Sequence, residues 1–126
     1  MDAERSREDY LENILVLTKE GVAVRGIDLA KKMEYSKPSV SVAMKKLDSE
    51  RFIKVDKDGV ISLTEKGLAR AQKIYEKHLM LTVILMELGV EQSVAVKDAC
   101  KIEHDISDQS FEKVREFYFK HINSKA

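Results

Sequence analysis

Apolar residues recur at helical spacing in three short bursts near the amino terminus. Tyr10, Ile14 and Leu17 fall at i, i+4 and i+7. Residues 8–17 are therefore expected to form an amphipathic helix, with Ser6 as its N-cap and Gly21 as its stop. Leu29, Ala30 and Met33 mark a second helix over residues 27–33. Val40, Ala43, Met44 and Leu47 mark a third. Between these two lies Tyr35-Ser36-Lys37-Pro38-Ser39, a turn that places Ser36 or Lys37 at a cap and Pro38 in the first helical turn, where its missing N–H costs nothing. Two short helices around a tight turn form the helix-turn-helix pattern.

The periodicity then changes. Residues 52–55 and 60–63 are β-prone runs around Asp56-Lys57-Asp58-Gly59, and Asp-Gly is a strong hairpin signal. Helix, helix-turn-helix, hairpin is the order of a winged helix. A long helix is expected from the Thr64 cap to Leu88, where Gly89 ends it. Shorter helices follow over residues 92–104 and 107–121. The predicted fold is mostly α with a small β-hairpin wing. Residues 1–70 form an N-terminal winged-helix DNA-binding domain, and residues 71–126 a C-terminal helical dimerisation and metal-binding domain. The stripe Phe111, Val114, Phe117, Tyr118 and Ile122 gives the last helix a wide apolar face. A chain this short is expected to bury that face against a second copy, as a homodimer.

Composition narrows the function classes. Of 126 residues, 44% are hydrophobic and 35% charged, which excludes a disordered chain. Lys+Arg and Asp+Glu are each 22, so any nucleic-acid role rests on local rather than total charge. The single cysteine, Cys100, excludes an intramolecular disulfide, and without a signal peptide the expected compartment is the cytoplasm. The longest apolar run, residues 79–86, is too short to cross a bilayer.

Charge is local where the helix-turn-helix lies. Lys31, Lys32, Lys37, Lys45 and Lys46 stand against Glu34 alone, five against one, or +4. Lysines there neutralise phosphates and release counterions. Ser39 and Ser41 are small polar groups able to reach base edges or phosphates, and Lys54 and Lys57 carry positive charge onto the wing. The candidate DNA-binding residues are Lys37, Pro38, Ser39, Ser41, Lys45, Lys46 and Lys57, with double-stranded operator DNA as partner. Singly, each lysine also reads as part of a solvated helix face.

The chain also carries candidate metal ligands. Asp9 and Glu12, at i and i+3, share a face of the first helix. Cys100, Glu103 and His104, at i, i+3 and i+4, bring thiolate, carboxylate and imidazole to one face of another. His78 lies midway along the long helix. Each has a plainer explanation: helix-end charges for Asp9 and Glu12, a small buried hydrophobe for Cys100, a surface or core histidine for His78.

These motifs, taken in order, resemble the diphtheria-toxin-repressor family, most closely its manganese-transport-regulator (MntR-like) branch. Glu8-Asp9-Tyr10-Leu11-Glu12 resembles that branch's opening motif, and Ser36-Lys37-Pro38-Ser39-Val40-Ser41 the start of the family's recognition helix. Lys77-His78-Leu79 resembles its long-helix motif. Cys100-Lys101-Ile102-Glu103-His104 resembles its most specific motif, an acid or Cys, two residues, then Glu-His. The resemblance spans nearly the whole chain. It implies a repressor of metal homeostasis activated by a divalent ion held by Asp9, Glu12, His78, Cys100, Glu103 and His104 where the two domains meet.

The chain departs from both branches. The manganese branch has a carboxylate at the place of Cys100, where the iron branch has a cysteine; the iron branch has a methionine at the place of Asp9. Thr82 and Val96 replace ligands of the iron branch's ancillary site. Val42 replaces a polar recognition-helix residue, so no base preference transfers. Three carboxylates and two imidazoles suit Mn²⁺ or Fe²⁺, the expected cofactor; the thiolate shifts the balance toward Fe²⁺, with Co²⁺ or Zn²⁺ possible in vitro. The alternative is a winged-helix regulator responding to a small organic ligand. An enzyme is not expected: the chain has no phosphate loop, no nucleophile elbow and no separate base beside an open metal position.

Overall fold

The computed structural model describes residues 3–122, which fall into two compact units divided between Lys73 and Ile74. The first begins with α1 (Ala3–Lys19), which starts five residues earlier than apolar periodicity predicts. Ser6 lies inside this helix and is not its cap. Residues 3–9 carry no apolar side chain larger than Ala3, so nothing periodic marks the true start. Gly21 ends the turn after α1 at φ +85°, a left-handed conformation that glycine adopts without strain.

α2 (Gly26–Met33) starts where the Arg25 backbone N–H donates to Asp28 Oδ2 at 2.8 Å. α3 (Lys37–Ser49) is capped by Ser36, whose Oγ accepts from the Ser39 backbone N–H, with Pro38 in the first turn. α3 turns Val40, Met44 and Leu47 inward. Leu11, Ile14, Leu29, Ile53 and Ile61 join them in the core of this unit. These buried side chains span α1, α2, α3 and the hairpin, so one apolar cluster holds the unit together.

The hairpin is short. β1 (Ile53–Val55) pairs antiparallel with β2 (Ile61–Leu63), in the register Ile53 to Leu63 and Val55 to Ile61. Phe52 is buried ahead of the strand rather than within it. Five residues connect the strands, not a two-residue turn. Asp56 Oδ1 organises them by accepting from the backbone N–H groups of Asp58 and Val60, and Gly59 takes φ +81°. The Ile61 N–H donates to Val24 O, which ties the approach to α2 onto the hairpin.

α4 (Glu65–Glu87) begins at Thr64, whose Oγ1 accepts from the Gly67 N–H and donates to Arg51 O. In the second unit, α5 (Gln92–Asp105) follows Gly89, and α6 (Asp108–Phe117) is capped by Ser107. The expected helix over residues 107–121 does not continue as α-helix: Tyr118–Ile122 forms a π-helical turn. Ile74, Leu81, Ala95, Ala99 and Phe111 are buried, while Val83, Met86, Leu88, Phe117 and Phe119 are exposed. Of the predicted C-terminal stripe, Phe111 alone is buried. No helix among the described residues is long and apolar enough to cross a membrane.

Candidate metal centre and nucleic-acid interface

The second unit gathers four of the candidate ligands. α5 projects Cys100, Glu103 and His104 from successive positions of one face, and α4 supplies His78. Glu103 is wholly buried, a costly position for a carboxylate unless it is paired. Its Oε2 lies 2.9 Å from His78 Nδ1, and its Oε1 lies 3.4 Å from His104 Nε2. Two imidazoles thus flank one buried carboxylate. Oε1 is enclosed and accepts no hydrogen bond. Cys100 is exposed.

The nearby cation Lys77 is engaged elsewhere: buried, 3.5 Å from Asp108 and over the Phe111 ring. Nor does Arg115 serve the cluster, since it pairs with Glu76. The fixed positive charges named here are therefore committed to other carboxylates.

These residues fit a divalent ion on two grounds. One ligand atom each from Cys100, Glu103 and His104 lies within 4.8 Å of the others. Two atoms bound to one ion at about 2.0–2.3 Å can be at most about 4.6 Å apart, so this spacing is near what three donors sharing one ion require. The donor set itself, carboxylate with imidazole and thiolate, suits a first-row transition metal.

Asp9 and Glu12 lie on α1 in the first unit, three residues apart and so on one face. Glu12 is buried and Asp9 half-buried. The Asp9 backbone carbonyl accepts from Asn13 Nδ2.

The first unit also presents a cationic surface. Lys37, Pro38, Ser39, Ser41, Lys45 and Lys46 are all exposed on α3, and Lys57 is exposed in the hairpin connection. A cleft of about 410 Å³ separates α3 from the hairpin; Lys37, Ser41 and Lys45 line one wall, Val55 and Gly59 the other. On the opposite flank of α3, a second cleft brings Ser6 and Arg7 of α1 beside Ser39 and Lys46. Arg7 is held there by Glu50 Oε2 at 3.1 Å and lies over the Phe52 ring. Sequence reasoning missed Ser6 and Arg7 as neighbours of the α3 surface. Their place there follows from how α1 packs, for which spacing along the chain carries no signal.

A winged helix with a cationic outer face, in one chain with a helical unit that gathers imidazole, carboxylate and thiol, defines a metal-responsive DNA-binding protein. Comparison with known proteins agrees. Residues 2–61 match the family described as iron dependent repressor, N-terminal DNA binding domain. Residues 64–121 match iron dependent repressor, metal binding and dimerisation domain. The chain belongs to this iron-dependent (diphtheria-toxin) repressor family of transcriptional regulators, in its MntR-like branch.

An uncharacterized HTH-type transcriptional regulator of Methanocaldococcus jannaschii is 36% identical over 118 residues, covering 92% of this chain and 94% of that protein. The transcriptional regulator MntR of Escherichia coli O157:H7 is 32% identical over 114 residues, covering 90% and 74%. The solved structure of the manganese regulator SloR superposes with a TM-score of 0.78 at 34% identity over 88% of this chain. The chain spans about half the length of that regulator, 52%.

Proposed function

We infer that this protein is a metal-dependent DNA-binding repressor controlling metal homeostasis, with Mn²⁺ or Fe²⁺ as its cofactor. The observation that carries this reading is the buried Glu103 carboxylate flanked by His78 and His104, in the same chain as a cationic winged helix. The proposed ligands are Asp9, Glu12, His78, Cys100, Glu103 and His104. Asp9 and Glu12 join the set on the motif resemblance and their common face of α1.

When bound, the divalent ion supplies the positive charge that this set of carboxylates and thiolate otherwise lacks. The protein's own groups do the rest. His78, hydrogen-bonded to Oε2, holds the Glu103 carboxylate in place, with His104 beside its other oxygen. Lys37, Lys45, Lys46 and Lys57 meet phosphates, while Ser39 and Ser41 reach base edges. Pro38 holds the start of α3 in helical form, so those serines are presented in a fixed geometry. The working form is a homodimer that covers exposed apolar side chains of the second unit, Val83, Met86, Leu88 and Phe117 among them. Such a dimer presents two copies of α3 to half-sites about 34 Å apart on operator DNA. Metal acts as a switch by favouring the DNA-binding form.

The test titrates Mn²⁺, anaerobic Fe²⁺ and Zn²⁺ into the apoprotein while fluorescence anisotropy follows binding to a duplex from its own promoter region. Affinity is expected to rise at least about tenfold with Mn²⁺ or Fe²⁺, within the usual range of coupling between two sites. His78→Ala and Glu103→Ala are expected to abolish the rise while circular dichroism and sedimentation stay those of the parent. Unchanged affinity with every metal overturns the reading.

A further inference from the structure

The outer face of α3 carries one residue that the phosphate and serine contacts leave unexplained. Val42 is 69% exposed, the most exposed large apolar side chain among the described residues of the first unit. At 3.6 residues per turn it lies roughly 200° around the helix from Val40, nearly opposite the buried stripe of Val40, Met44 and Leu47. It therefore points straight outward from the second turn, with Pro38 and Ser39 one turn before it and Lys45 and Lys46 one turn after.

A β-branched apolar side chain is a poor choice there on local grounds. It is a weaker helix former than Lys, Gln or Ala and, at the rim of the cleft beside α1, gains little from burial within this chain. An isopropyl group makes no hydrogen bond, so it reads neither the donors nor the acceptors of a base edge. One apolar group is displayed in the major groove of DNA, the C5 methyl of thymine.

We propose that Val42 is a specificity-determining residue that reads a thymine methyl in the major groove, once in each half-site. This rests on the DNA-binding reading above and adds to it the base that the centre of α3 selects. The flanking lysines set the depth and register of the helix through phosphates, and Val42 supplies discrimination by apolar contact. Hydrogen bonding takes no part at this position.

The test uses the full chain with Mn²⁺ to select duplexes from a randomised-sequence pool. In the selected duplex each thymine is then replaced singly by deoxyuridine, which lacks only the C5 methyl. At one thymine per half-site the replacement is expected to weaken binding about four-fold, the worth of one buried methyl-sized group. Val42→Ala, which removes the contact from both half-sites, is expected to bind the thymine duplex as weakly as the parent binds a duplex with both of these thymines replaced, and to show no difference between the two duplexes. Val42→Thr, which keeps the shape and one methyl, is expected to retain part of the discrimination. Should the parent tolerate deoxyuridine at every position, or should Val42→Ala discriminate as well as the parent, the inference is overturned and DNA binding stands. Failure of the pool to enrich any sequence overturns the DNA-binding reading and this inference with it.

Discussion

Among single residues, Glu103 is where burial and charge oppose each other most strongly, and Tyr10 is where burial acts most clearly on a titrating group. Desolvation raises the Tyr10 phenol above its ordinary value of 10.0, and the neighbouring Tyr35, with ring centroids 5.8 Å apart, adds to the effect. Because the folded-state value lies above the unfolded one, the stabilisation is fully present below pH 10.0 and is lost as pH rises through the folded-state value. Alkaline titration followed by tyrosinate absorbance is expected to show one of the four tyrosines ionising late. That late step should vanish in Tyr10→Phe. A tyrosine that titrates late in the variant as well would place the shift elsewhere. Tyr10 was legible as a core position from its helical spacing, because burial of a periodic apolar face needs no knowledge of its partner. The pairing of Glu103 with His78 was not, since 25 residues separate them and only the packing of α4 against α5 sets their distance.

Among elements, the hairpin and α4 meet closely at Gly67. A Cβ added at Gly67 would lie 2.9 Å from the Phe52 carbonyl carbon and closer still to its oxygen. Alanine is the better helix former by about 1 kcal/mol, but the atoms it would strike are backbone and cannot swing aside. Gly67→Ala is therefore expected to destabilise the protein by about 1–3 kcal/mol, as overpacked sites do. Urea denaturation checks this, and a neutral or stabilising result would show that Phe52 moves freely. The sequence marked α3 well because Ser36 and Pro38 act through their own backbone neighbours. The start of α1 was misjudged at Ser6, since its opening turns carry no apolar period. Residues 118–122 were expected to be α-helical, yet they form a π-helical turn, and residue spacing does not distinguish the two.

At the scale of the whole molecule, total charge is zero while α3 carries Lys37, Lys45 and Lys46 against Asp48 alone, three against one, or +2. Binding to DNA is accordingly expected to weaken steeply with salt. Lys45→Ala and Lys46→Ala should each weaken it about uniformly across sequences and lower the slope of log K against log salt by about 1. A lysine variant that changes sequence preference and leaves the slope untouched would assign that side chain to bases instead. Exposed Leu88 and Phe117, at 76% and 55%, show how much apolar surface one copy leaves uncovered.

The amino-acid order alone determined the succession of helices, the hairpin and its turn, the cationic stretch and the clustered donors at positions 100, 103 and 104. Each of these depends on residues within a few places of one another, where backbone geometry dictates spacing. Tertiary structure alone decided that Glu103 is sealed between two imidazoles and that Ser6 and Arg7 flank α3. Those outcomes depend on which helix faces pack together, and packing is a property of the assembled core rather than of any local stretch of chain.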